Sequence, residues 1–508
     1  MQKTRLFGYV LVTLLVGAGL LAFNAGVVWS TSVDLAHHYA LVFRLAENWH
    51  MTANDPSLME MNFYPRGSHI AAVLAGMPLG SPFLGMHMVA LGSLVLLWAS
   101  CLAILYAAPG RKGPLTALVL ALLLVVNHGA LRVHGAEISG AYHFAQLVAQ
   151  ALVFALLAVA IRLDGRTRRI WVYAFLLLAN VVVASVHLLP ALELLGVLAG
   201  LLLLDAVAAP AALRLRTVLA GVVLLAIGIA TVVLHPSFAA MRAISAHNGG
   251  MSLGLLGPVW SLGLASLIVL ATVVPLLRAW QRDRAGNAMH KYLAVYGMAI
   301  AGLCLLQIVL RYFSLGSDYA VKKYAYALAS FLVIRLAMWL GAKASARAER
   351  WQGFARFSSG SAFGVAVFGL ALAIAVLGCA RMRHDVDAYK VASFERQLVD
   401  LRAGAARPVM QGKPTLVAEL NGMHVVINYM FSLAVMHTPR EIVLPYFTTG
   451  MDPGPLSQYG LIVTSPGQPR FAAAQACISS RTGTLLVLDG ACAEQAGGVG
   501  AKATAAAR

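Results

Sequence analysis

The residues suited to proton transfer or to holding a phosphate fall in a few short stretches. Asp34 is the first acid after a long apolar run, in Asp34-Leu35-Ala36-His37-His38-Tyr39. A carboxylate emerging from an apolar segment serves as a general base once burial or a nearby cation tunes it. The alternative is a helix N-cap that accepts the free N–H groups of the next turn. Arg66 and His69 follow in Tyr64-Pro65-Arg66-Gly67-Ser68-His69, and Glu137 closes Arg132-Val133-His134-Gly135-Ala136-Glu137. Three roles are open to Glu137: assisting Asp34, holding an optional divalent cation, or pairing with Arg132. Arg311, Tyr319, Lys322 and Lys323 occupy a later stretch that ends in Asp318-Tyr319-Ala320-Val321-Lys322-Lys323-Tyr324-Ala325-Tyr326. His37, His38, His69, His134 and His187 all lie in connections of the same kind. Imidazoles beside a proton-transfer site orient the acid or contact phosphate; taken singly, each is an ordinary loop residue. No spacing specifies a metal, and neither a phosphate loop nor a G-x-G-x-x-G fingerprint occurs.

The elements that must position these residues are membrane spans. Of 508 residues, 60% are hydrophobic and only 11% charged, with a mean hydropathy of +0.78, whereas soluble chains carry roughly 25% charged residues. A water-soluble fold is excluded on that ground. The formal charge of +18 reflects topology and not a nucleic-acid partner, because the Lys and Arg cluster between apolar runs. Spans are expected at residues 7–29, 83–107, 114–130, 144–162, 170–188, 190–209, 216–235, 255–278, 290–312, 325–341 and 362–380. The first is too long for a signal-peptide core and reads as a retained helix. Alternate connections hold Arg111 and Lys112; Arg162, Arg166, Arg168 and Arg169; Arg214 and Arg216; Arg278, Arg282, Arg284 and Lys291; and Lys343, Arg347, Arg350 and Arg356. These connections, with the N-terminus, face the cytoplasm. The opposite connections hold Asp34, Glu47, Asp55, Glu60, Glu137 and Asp318, and an odd number of spans places the C-terminus outside with them. Pro190 interrupts residues 170–209 and sets a tight outer hairpin there.

The first outer loop, residues 30–82, is long enough to carry function. Leu35, Tyr39, Val42, Ala46 and Trp49 recur at helical spacing, which predicts an amphipathic helix along the membrane surface with Trp49 at the headgroups. A second short piece, His69 to Leu79, is interfacial or re-entrant. Glu193 sits about one turn inside a span, where an acid is costly enough to suggest a cavity lining or an Arg partner, while its nearness to the interface allows simple snorkelling. From Arg381 the charged residues return. A helix is expected over Tyr389 to Arg402, with strands at Thr415–Leu420, Glu441–Leu444, Gly460–Thr464 and Thr484–Leu488. Cys477 and Cys492 pair if this part lies in an oxidising compartment. The predicted organisation is a membrane domain over 1–380, an α/β domain over 381–495 and a disordered tail over 496–508.

Asp34 in a loop of two interfacial helices, the Tyr/Lys stretch 318–326, and many spans followed by an outer domain together resemble the GT-C superfamily of membrane glycosyltransferases. That superfamily includes lipid A aminoarabinose transferases, protein O-mannosyltransferases and mycobacterial arabinofuranosyltransferases. The resemblance implies an α-helical polytopic membrane protein of about 11 spans with a small C-terminal periplasmic α/β domain. It also implies a bacterial inner-membrane location, a polyprenyl-phosphate sugar donor, and Asp34 as the base acting on the acceptor. The residues fit this chemistry on their own terms. Transfer from a lipid phosphate needs a base for the acceptor hydroxyl and cations for the departing phosphate. Asp34 with Glu137 is the expected catalytic pair, and Arg311, Lys322, Lys323 and Tyr319 are the expected phosphate ligands. His37, His38, Arg66, His69 and His187 are expected to line the site. No cofactor is required, and a divalent cation is optional. The partners are the donor, a glycan or glycolipid acceptor of the cell envelope, and membrane lipids, with no nucleic acid. The competing readings are a lipid or sugar transporter or flippase, which concentrates ionisable residues near the bilayer midplane, and a polysaccharide polymerase or ligase with its site in a late outer loop.

Overall fold

The computed structural model describes residues 2–50, 54–107, 112–127, 130–246, 258–282, 287–348, 361–379, 386–404, 406–448 and 455–496. The expected tail from residue 497, and Arg111, Arg284, Arg350 and Arg356, lie outside the described residues.

Apolar runs of this length satisfy every backbone group only as helices. Among the described residues, 8 helices are long and apolar enough to cross a membrane: Phe7–Asn24, Pro82–Leu105, Phe144–Leu163, Leu188–Ala208, Ala211–Val233, Pro258–Arg282, Ala288–Tyr312 and Asp318–Arg347. Three shorter apolar helices, Lys112–Asn127, Arg169–Ala184 and Ala362–Gly378, fall at the remaining predicted spans. The medium they require shows in what they leave uncovered. On the helix Ala211–Val233, Leu215, Val222, Val223, Ile227 and Ile229 are all exposed. In water that apolar surface would carry an unfavourable free energy of about 25 cal/mol per Å², whereas lipid tails accommodate it.

Two sets of contacts show which connections share an end of the bundle. Lys291 bonds Asp164, and Arg169 lies 3.1 Å from Asp205, so three of the basic connections meet at one end. At the other end the strand Val27–Val28 (β1), just after the first span, pairs antiparallel with Val386–Asp387 (β2), just after the last one. The chain therefore leaves its first and last apolar helices on the same face, as an odd number of crossings demands.

The C-terminal part is built on four strands, β3 (Thr415–Val417), β4 (Leu461–Thr464), β5 (Ile478–Thr482) and β6 (Leu485–Asp489), in the order β3-β4-β6-β5. Only the β3/β4 pair is parallel, and the helix Val425–Ala434 lies between those strands in sequence. The buried strands β3, β4 and β6 match three of the predicted runs. The fourth, Glu441–Leu444, belongs instead to the helix Arg440–Thr448; its few apolar residues are too short a sample to separate the two periods. Edge strand β5 was unanticipated because its Ile478-Ser479-Ser480-Arg481-Thr482 sequence is mostly polar and only half-buried at best. Cys477 and Cys492 are disulfide-bonded, with Cα atoms 5.6 Å apart.

The helix Val33–Glu47 departs from the expected surface-lying amphipath. Every residue from Leu35 to Leu45 is buried, because the helix Val425–Ala434 packs on it from one side and the helices Gly67–Gly76 and Pro82–Leu105 from the other. Even Arg44 is enclosed, its charge met by Asp55 at 2.8 Å and Glu47 at 3.1 Å. Only the end near Trp49 stays exposed. The next crossing is tight: a Cβ on Gly85 would lie 2.2 Å from the Ala72 carbonyl and 2.4 Å from the Gly76 nitrogen. Glu395, buried on the helix Ala388–Ala403, fastens the two parts together. It accepts the Tyr39 hydroxyl at 2.6 Å, the Ser81 hydroxyl, and the Phe83 N–H at 3.2 Å. Replacing Glu395 with Ala strands these buried donors, and stability is expected to fall by about 3 kcal/mol. Thermal unfolding of the detergent-solubilised protein measures this, with faster proteolysis between the two parts as an independent readout.

Candidate active site

The cap at the start of the helix Val33–Glu47 is Ser32, not Asp34. Ser32 Oγ accepts the Leu35 N–H at 3.3 Å and donates to the Ala141 carbonyl at 2.6 Å. This leaves the Asp34 carboxylate free of capping and ties the first outer loop to the second. Asp34 Oδ2 lies 2.5 Å from His143 Nδ1, which donates to it. Asp34 is packed among protein groups yet keeps 32% of its side chain exposed, while His143 is 2% exposed. The aspartate therefore presents an open oxygen, and the histidine stands behind it.

His143 owes its place to the loop before the helix Phe144–Leu163. Its N–H donates to the Glu137 carbonyl at 2.9 Å, after Tyr142 turns the chain through the left-handed region at φ 51°. The Glu137 carboxylate closes this loop from within, accepting His134 Nδ1 at 2.7 Å and the Gly135 N–H at 2.6 Å. His134 is anchored in turn by its N–H to Ser330 Oγ at 2.8 Å. Glu137 is fully buried and holds the loop together, a role outside the three expected for it; its ion-pair partner is His134 and not Arg132.

The late Tyr/Lys stretch comes down on the other side of His143. The rings of Tyr319 and Tyr326 lie 6.0 Å and 6.2 Å from it, edge to face. Lys323 is buried, with Nζ 4.1 Å from the centre of the Tyr319 ring and 3.1 Å from His187 Nε2. His187 caps the helix Leu188–Ala208 through Nδ1, which accepts the Leu189 N–H at 3.2 Å. Beside it, His69 Nδ1 lies 3.1 Å from the Pro65 carbonyl, which only accepts, so this nitrogen carries the hydrogen. His69 Nε2 then accepts from His38 Nδ1 at 2.9 Å. Tyr64 presents its ring to His38, His69 and His187 at 5.3, 5.7 and 6.1 Å.

Asp34, Tyr319, Lys323, His38, His69 and His187 are thus brought together, and others are not. His37 turns away to the C-terminal part, its Nε2 3.2 Å from the Tyr429 hydroxyl. Arg311 is ion-paired with Asp318. Arg66 reaches the Asn62 carbonyl at 3.4 Å. Lys322, half-buried one position before Lys323, stays at the edge of the site, close enough for its charge to act on Asp34 and His143. Sequence reasoning missed His143 and Tyr326. The signal for His143 was its place immediately before an apolar run, the same place His187 holds. Among the described residues no group of three or more His, Cys, Asp or Glu is arranged to hold a metal ion.

Burial alone would raise the Asp34 carboxyl. The hydrogen bond donated by His143 and the electrostatic pull of the nearby His143, His38 and Lys323 side chains outweigh it and hold the carboxyl well below the usual carboxylate range. Burial pushes the imidazoles the opposite way: His38 and His187 fall well below their ordinary value and His69 drops to about 3. The site therefore sets one fixed negative charge beside a cluster of neutral rings.

No protein-family model matches the sequence, and no curated protein matches it either. Among solved structures the chain is similar to the crystal structure of ArnT from Cupriavidus metallidurans in the apo state, at 15% identity and a TM-score of 0.41, over 97% of this chain and 99% of that one. A likeness at that level leaves the functional reading to the side chains themselves.

The histidine cluster sets an acid limit. Unfolded imidazoles take up protons near pH 6.5, and the folded values lie lower, so the unfolded state binds more protons as pH falls through that region. The stability contributed is complete above about pH 6.5 and lost progressively below it. Thermal unfolding from about pH 7.5 down to about pH 5 is expected to show a falling midpoint, less steep in His69→Gln. A flat profile would overturn the neutral-ring assignment.

Proposed function

We propose that this protein is an inverting membrane glycosyltransferase. It moves a monosaccharide from a polyprenyl-phosphate donor to an envelope polysaccharide or glycolipid on the periplasmic face of a bacterial inner membrane. The observation that carries the reading is the half-open Asp34 carboxylate, fixed by His143 at 2.5 Å and facing the stretch that holds Tyr319 and Lys323. An acceptor hydroxyl approaches the free oxygen of Asp34. Its oxygen bonds to the anomeric carbon as the carbon–phosphate oxygen bond breaks on the opposite side, and its proton passes to Asp34. The negative charge growing on the departing polyprenyl phosphate is met by Lys323, held between Tyr319 and His187 in surroundings of low dielectric where such a cation counts most.

His143 orients the base, and Glu137 positions His143 through the loop it closes. The basic connections gathered at the opposite end of the bundle support this orientation, with the N-terminus in the cytoplasm and the site and the C-terminal part outside. The chemistry assigned to these residues needs no cofactor, and a divalent cation, if bound near the donor phosphate, would add to the charge neutralisation that Lys323 supplies.

The test is transfer by the purified protein in lipid nanodiscs, with a panel of polyprenyl-phosphate sugars and glycan or glycolipid acceptors. Asp34→Asn is expected to lower turnover by about 10²- to 10⁴-fold, the usual contribution of a general base, with the protein still folded. Full turnover in that variant sinks the assignment. His143→Ala is expected to lower the turnover number more than it raises KM, since it misplaces the base without touching the donor. Lys323→Met is expected to weaken the phosphate contact, with partial recovery in Lys323→Arg.

A further inference from the structure

Below the Asp34–His143 pair, Gln146 and Gln150, four residues apart, share one face of the helix Phe144–Leu163, and His143 is the N-cap residue at the head of that helix. The face runs about 10 Å into the helical array at 1.5 Å per residue. All three residues are buried, and His143 Nε2, Gln146 Oε1 and Gln150 Oε1 have no hydrogen-bond partner among the described residues. Glu193 Oε1 and the Tyr324 hydroxyl, from neighbouring helices, share that condition.

At the deep end, Gln150 Nε2 donates to Glu193 Oε2 and to the Tyr296 hydroxyl, both at 2.9 Å, and Tyr296 donates to Glu193 Oε2 at 3.2 Å. Glu193 is fully buried, and among the described residues no Lys or Arg is ion-paired with it. The ionisable groups around it are the His134–Glu137 pair from the loop, Tyr296 and Tyr324.

A carboxylate this deep, bonded only by neutral groups, is accommodated by carrying a proton. Each unsatisfied buried acceptor costs about 1–3 kcal/mol. A cluster of them along one continuous face is the setting in which proteins hold internal water, which needs several polar partners per molecule.

We propose that this face holds ordered water and forms a proton-exchange path between Glu193 and His143. In the forward direction the Glu193 O–H bond breaks, each water passes one proton to the next, and an N–H bond forms at His143 Nε2. Glu193 is left as a carboxylate and His143 as an imidazolium against Asp34. The reverse steps restore both. The path goes beyond the transfer reading, since it exists whatever the substrate. If that reading holds, the path places a positive charge beside the site only when an anion is there to favour it.

The test uses the full-length protein in nanodiscs and needs no activity. Hydroxyl radicals generated by radiolysis label buried side chains that touch bound water, so Tyr296 and Tyr324 are expected to be labelled despite their burial. That labelling should be lost in Gln150→Leu. Infrared spectroscopy at neutral pH is expected to show the carbonyl band of a protonated carboxylic acid, absent in Glu193→Gln and retained in Asp34→Asn. Native protein in which neither tyrosine is labelled, or a spectrum without a Glu193-dependent band, overturns the proposal. Both measurements on the native chain decide it even if a variant fails to fold, and a failure of sugar transfer leaves them unaffected.

Discussion

The end of the bundle that carries the site is organised around the buried carboxylate of Glu395. It belongs to the first helix after the last span, yet its bonds go to Tyr39 in the first outer loop and to Ser81 and Phe83 at the start of the second span. A charge enclosed this way is tolerated only when its oxygens are well supplied with donors, so the three elements have little freedom to separate. Tyr39 and Asp34 ride on the same helix. Fixing the rotation of that helix through Tyr39 therefore fixes which way Asp34 faces. The pairing of β1 with β2 repeats the constraint one step closer to the membrane.

From that constraint the site follows by capping. Ser32, His143 and His187 each stand at the start of a helix, and each ties its helix end to a neighbour or to its own first turn. Because Ser32 takes the capping role, Asp34 keeps an open carboxylate oxygen. Because His143 sits at the head of an apolar helix, its ring lies between an ionised aspartate above and a buried polar face below. The rings of His38, His69 and His187 remain neutral because burial disfavours their charge, and the hydrogen bonds of His38 and His69 suit the neutral tautomers. The division between one ionised acid, one buried lysine and several neutral imidazoles is electrostatic in origin and follows from depth.

Much of this was legible in the residues. The apolar runs announced every span, the period of Leu35, Tyr39 and Val42 announced the helix after Asp34, and three of four short apolar runs became strands. Lys323 was expected from type and position, Asp34 from its position together with the family resemblance, and Tyr319 from the resemblance of its stretch. His143 was not, since a histidine at the edge of a span looks like any boundary residue until the loop before it is folded. His37 and His38 are adjacent in sequence and of one type, yet one meets Tyr429 and the other His69. Arg311 and Lys323 looked equivalent, but Asp318 neutralises the first.

By itself the sequence determined which segments leave water and on which end of the bundle the acids and the bases gather. Hydropathy and helical period are properties of neighbouring residues, and they survive any arrangement of the helices. Only the tertiary structure decided that Asp34 meets a histidine 109 residues away, that Glu137 is closed upon its own loop, and that a line of buried polar groups descends to Glu193. Those outcomes depend on which loop tips and helix faces touch, and contacts between distant segments leave no period in the chain.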